Sequence, residues 1–123
     1  MPYFESSRSN GGPSPARPAP YRCEVFPERD RVRIAPVGEL DIATTPELEE
    51  TIRELVESGF DQVVLDLADV EFLDSTGLRL ILRWHASAQQ DGLRFWVRPG
   101  PPAVQKLFTL TGTAELVGLE PRS

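Results

Sequence analysis

A serine, four of the aspartates, one histidine and one cysteine are the residues of this chain with chemistry to offer. Ser75 stands in Phe72-Leu73-Asp74-Ser75-Thr76-Gly77-Leu78, where it is the expected N-cap of a helix continued by Leu78, Ile81, Leu82 and His85 at helical spacing. That position puts a hydroxyl among unpaired backbone N–H groups and near carboxylates. Two readings follow. The hydroxyl is a helix cap contributing about 1 kcal/mol, or it is a phosphoryl acceptor that gains about −1.5 to −2 charge at pH 7. Thr76 is the competing acceptor, with Ser87, Thr44 and the N-terminal serines behind it. As a β-branched residue in a first helical turn, Thr76 reads as structural.

Asp41, Asp66, Asp69 and Asp74 offer a different chemistry. Oxygen ligands suit Mg²⁺, and carboxylates after parallel strands are where metal-dependent phosphotransfer is housed. The chain has no phosphate-binding glycine loop and no obvious general base, and turn formation accounts for Asp66 and Asp69. His85 has no second histidine with which to share a metal or complete a triad, so it reads as a packed, hydrogen-bonded side chain. Cys23, alone and inside a predicted strand, reads as a small buried side chain. Arg79 and Arg83, four apart, offer cations to an acidic partner or simply face solvent.

The elements that must position these groups are legible as alternating patterns. Residues 21–26 and 31–37 read as two strands joined by a polar turn, hence a hairpin. Thr45-Pro46-Glu47 reads as a helix start with Thr45 as cap, and Leu48, Ile52, Leu55 and Val56 form its apolar stripe up to Gly59. Val63-Val64-Leu65 reads as a buried strand. The helix from Ser75 ends at Asp91-Gly92; Leu80 and Trp84 lie off its main stripe, which implies burial on two fronts or an exposed binding patch. A strand over 93–97 and a helix marked by Val104, Leu107 and Phe108 follow, and Leu116-Val117 is a last strand or a docked end. The class is therefore α/β: a mixed, mostly parallel sheet of four or five strands with an N-terminal hairpin and three or four helices. This topology puts the Gly38–Asp41 turn and the Asp74–Gly77 turn on one sheet edge.

Residues 1–20 hold five of the 12 prolines and few large apolar groups, and read as a flexible tail. The folded domain is expected over 21–119, with 120–123 as a C-terminal end. A net charge of −6 and a pI near 4.8 disfavour nucleic acid and anionic membrane as partners. One cysteine forms no internal disulfide, and the sequence shows neither a spanning apolar run nor a signal peptide, so a cytoplasmic protein is expected.

Gly38-Glu39-Leu40-Asp41, Leu65-Asp66-Leu67, Phe72 to Leu78, and Pro102 to Phe108 with Thr111-Gly112 occur in an order and spacing that resembles the STAS-domain family. Within it the chain looks like the bacterial anti-sigma factor antagonists. The resemblance implies that Ser75 is phosphorylated by an anti-sigma factor with serine-kinase activity, whose ATP is the partner's cofactor, this chain needing none. It also implies that a phosphatase resets Ser75, and that only the unphosphorylated form binds the kinase and releases its sigma factor. Partner contacts are expected from Glu39, Asp41, Asp74, Ser75, Thr76, Gly77, Leu78 and Arg79, with no catalytic or metal residue. Arg79 departs from the family's usual small residue. The alternatives are a constitutive STAS adaptor in a regulatory or lipid-transport complex, and a metal-dependent phosphotransfer enzyme built on the aspartates.

Overall fold

The expected hairpin forms from β2 (Arg22–Pro27) and β3 (Val32–Leu40), paired antiparallel with Val25 opposite Ile34. Its turn is closed by the Glu28 N–H donating to the Arg31 carbonyl at 2.7 Å, and the Arg31 and Arg33 guanidinium groups both reach the Glu28 carboxylate. The computed structural model describes the backbone of Phe4–Glu5 and residues 20–114. Phe4–Glu5, within the stretch read as a tail, forms a short strand β1 antiparallel to β2. The outer edge of β2 presents a row of backbone groups that seek partners, a demand that a proline-rich composition does not reveal. Leu116, Val117 and the expected C-terminal boundaries lie outside the described residues.

From β3 the chain alternates helix and strand: α1 (Thr45–Glu57), β4 (Gln62–Asp66), β5 (Val70–Leu73), α2 (Ser75–Asp91), β6 (Arg94–Arg98) and α3 (Pro102–Leu110). The sheet runs β1-β2-β3-β4-β6, with β5 off this path and paired to β3. The α/β class holds, with β1 and β5 added to the strands expected. The nine-residue β3 serves two parallel neighbours: Val32 to Ile34 pair with β4, and Gly38 to Leu40 pair with β5. The change of partner falls at Gly38, where φ is 106° and the register slips before Glu39. A side chain at that φ is strained, so a glycine-centred bulge turns the strand toward its second neighbour.

All three helices contribute to a single hydrophobic core. Val25, Val32, Ile34, Val63 and Leu65 from the strands meet Leu48 and Ile52 of α1, Leu78, Leu80 and Ile81 of α2, and Val104 and Phe108 of α3. Each such side chain fully removed from water contributes about 1.5–3 kcal/mol. Leu80 is wholly buried and Trp84 packs partly buried on the same cluster, so the breadth of the apolar face of α2 is burial on two fronts. Thr45 is the first helical residue rather than the cap of α1. Thr44 precedes it but gives no side-chain cap, because its hydroxyl donates to the Glu39 carbonyl at 2.7 Å.

Candidate functional site

The site is made by two strand ends. Leu40 and Leu73 are paired as the last residues of β3 and β5, and the Asp74 N–H donates to the Leu40 carbonyl at 3.1 Å. Asp41 and Asp74 therefore leave neighbouring parallel strands at their carboxyl ends, where such sheets present functional groups. The two turns meet as the topology implied, but through β5, a strand not among those expected.

Asp74, not Ser75, is the N-cap of α2. Its Oδ1 accepts from the N–H groups of Thr76 at 2.8 Å and Gly77 at 3.1 Å, and its carbonyl accepts from the Leu78 N–H at 3.0 Å. A carboxylate on the dipole's positive end is favoured there. Ser75 becomes the first residue of the helix, exposed, and among the described residues its hydroxyl enters no hydrogen bond. The expectation of a hydroxyl among unpaired N–H groups is thus corrected: the aspartate has taken two of them. Replacing Asp74 with alanine is expected to lower stability by about 1–2 kcal/mol, measurable by urea denaturation, whereas Ser75→Ala stays within about 0.5 kcal/mol as a surface change.

Gly77 and Leu78 are buried and seat the helix rather than face outward. A Cβ on Gly77 would lie 2.5 Å from Leu73 Cδ1 and 3.3 Å from the Cβ and carbonyl oxygen of Leu40, so α2 rests directly on both strand ends. Thr76 is half-buried and Arg79 exposed, one turn beyond Ser75.

The other turn folds on Asp41. Its Oδ1 accepts from the N–H groups of Ala43 at 2.9 Å and Thr44 at 3.1 Å, while the Asp41 N–H donates to Thr44 Oγ1 at 3.0 Å. Asp41 is half-buried, Glu39 likewise, and the turn they hold displays Ile42 with 77% of its surface exposed. Phe72 of β5 is also exposed, at 49%. Neither was among the residues expected to contact a partner. The signal for Ile42 was present: a β-branched apolar residue directly after the turn-forming Asp41.

The remaining candidates are spent elsewhere. Buried Asp66 accepts from Arg33 at 3.2 Å and Arg98 at 3.1 Å, and from the Ala68 N–H at 3.0 Å. Asp69 is exposed in the following turn. Among the described residues no three His, Cys, Asp or Glu side chains converge to hold a metal ion. Cys23 is fully buried, and that burial pushes its thiol up to about 12. His85 is half-buried, with Gln89 at 3.4 Å.

Residues 26–118 match the family described as "Mlab, STAS domain". The chain belongs to the STAS-domain family. This STAS domain is 31% identical over 94 residues to an anti-sigma-B factor antagonist of Staphylococcus epidermidis, covering 76% of this chain and 87% of the relative. Its structure is similar to an anti-sigma factor antagonist from Mycobacterium paratuberculosis, with a TM-score of 0.68 and 27% identity over 89% of this chain and 90% of that one. The phosphorylated form of the Bacillus cell fate determinant SpoIIAA shares the fold, with a TM-score of 0.61 and 20% identity over 81% of this chain and 92% of that one.

Proposed function

We propose that this STAS domain is an anti-sigma factor antagonist whose binding is switched at Ser75. The observation that carries the reading is the place of Ser75: an exposed, unbonded hydroxyl on the first residue of α2, beside the Asp41 turn. The unphosphorylated protein offers an anti-sigma factor a surface that presents a neutral hydroxyl together with the exposed Ile42 and the cationic Arg79. Once that surface is desolvated, a phosphate on Ser75 adds both bulk and a dianion. The partner acts as the serine kinase and supplies the ATP, a phosphatase resets the switch, and the chain itself catalyses nothing. Among the described residues no helix is long and apolar enough to cross a membrane, which fits an encounter in the cytoplasm. The aspartates favour this reading over metal-dependent phosphotransfer, because Asp66 is tied to two arginines and Asp41 and Asp74 each fold their own turn.

The test is phosphosite mapping on protein from its own cells, combined with retention of partners by Ser75→Ala and Ser75→Asp. Phosphate on Ser75, with an ATPase retained by the alanine form and lost by the aspartate form, is the expected result. No phosphate, with the same partners on both variants, would leave a constitutive adaptor. A smaller effect is expected at the rim: Ile42→Ser should weaken the anti-sigma factor by about tenfold. Because Ile42 is exposed, its thermal stability should stay unchanged. Titration calorimetry beside a melting curve separates the two.

A further inference from the structure

We propose that Arg79 is the internal counter-ion of the phosphate on Ser75, so that phosphorylation also withdraws a cation from the partner surface. The inference rests on Ser75 as the acceptor. Three observations support it. First, two of the N-terminal amides of α2 that would ordinarily receive an anion are occupied, since Asp74 Oδ1 holds the Thr76 and Gly77 N–H groups. Among the described residues this turn leaves a phosphate on Ser75 only the Ser75 N–H, so its further donors come from side chains. Second, Arg79 lies four residues on along the same helix, so the two side chains are neighbours on its surface. Helical Cα–Cβ bonds lean toward the N-terminus, which brings the long Arg79 side chain back over the turn that carries Ser75. The order, anion first and cation four residues later, is the favourable one. Third, Arg79 is exposed and makes no ion pair among the described residues, whereas Arg83 on the next turn is engaged by Glu49 at 3.2 Å.

The consequence is a switch with two parts. The dianion is added, and the guanidinium that faced the partner folds back onto it through charge-assisted hydrogen bonds. Asp74 and Asp41 oppose the phosphate, and Arg79 offsets them.

The experiment uses the full chain with phosphoserine incorporated genetically at position 75, followed by ³¹P NMR titration of the phosphate. The arginine lowers the second phosphate pKa, so Arg79→Ala is expected to raise it by about 0.5 unit, Arg79→Lys by less, and Arg83→Ala not at all. An unchanged titration in Arg79→Ala overturns the proposal. So does an equal rise in Arg83→Ala, which would mark a general charge effect rather than a pair. The titration does not depend on any kinase recognising Ser75. Failure of the switch itself shows up separately, as partner retention that is indifferent to Ser75→Asp.

Discussion

Protein carrying phosphate on Ser75 is expected to bind its anti-sigma factor at least ~100-fold more weakly than the unmodified form, while its melting temperature moves by less than about 3 °C. The two halves of this expectation come from the same few atoms. Folding is spared because the cap of α2 is Asp74, whose Oδ1 bonds to Thr76 and Gly77 do not involve the serine side chain. Ser75 is exposed, so its phosphate stays hydrated in the free protein. Binding is not spared, because the partner must strip that hydration or leave a gap, and juxtaposed like charge costs several kcal/mol at an interface. A 100-fold loss corresponds to about 2.7 kcal/mol, well within that range. Ser75→Asp carries half the charge on a shorter side chain, and about tenfold is expected of it. Calorimetry of both forms against the purified anti-sigma factor checks the first half, and a thermal melt of each checks the second. A large drop in melting temperature with unchanged affinity would mean that Ser75 is a structural residue.

The α/β class, the hairpin, α1 to α3 and the parallel strands β4 and β6 were all readable, the helices from their apolar spacing and β4 from an unbroken aliphatic run that is buried throughout. The site was readable only in outline. β5 escaped because Val70 and Leu73 point inward while Glu71 and Phe72 are exposed, a pattern with no period of two. Without β5 the adjacency of Asp41 and Ser75 rests on topology alone; with it, the Leu40–Leu73 pair fixes it. The cap was ambiguous in principle, since Asp and Ser are equally good N-caps and stand side by side. What decides between them is where the β3–β5 pairing stops, a tertiary fact. The same holds for Thr44 and Thr45. Thr44 is drawn off by the Glu39 carbonyl, which only the folded turn brings within 2.7 Å. β1 was invisible for another reason: two residues carry no pattern, and their partner is an edge that local sequence does not announce.

The largest loss of stability from a single methyl group is expected at Gly100, a position that the sequence marks only as part of a proline-rich turn. Gly100 is buried, and a Cβ there would be driven into the carbonyl oxygen of Leu67, with the Leu67 carbonyl carbon 3.1 Å and its Cβ 3.2 Å away. Leu67 has little room to retreat. Its N–H donates to the Arg98 carbonyl at 3.0 Å, its carbonyl accepts from the Val70 N–H at 3.0 Å, and its side chain is wholly buried. Gly100 does not have the positive φ of Gly92, so alanine there meets a steric cost rather than a conformational one. Gly100→Ala is expected to lose about 3 kcal/mol, the upper end for an overpacked interior, and about 12 °C or more in melting temperature. Gly92→Ala provides the contrast. Its φ of 75° strains an alanine, but nothing lies within 4 Å of the new Cβ, so only about 1 kcal/mol is expected. The two variants should therefore rank Gly100→Ala well below Gly92→Ala in a urea titration, and equal midpoints would refute the contact with Leu67. The loss at Gly100 should also reach the site. The Leu67 turn feeds β5 through the Val70 N–H, and β5 delivers Asp74 and Ser75 to their place beside Asp41. Weakened partner binding is thus expected even under conditions where Gly100→Ala remains folded.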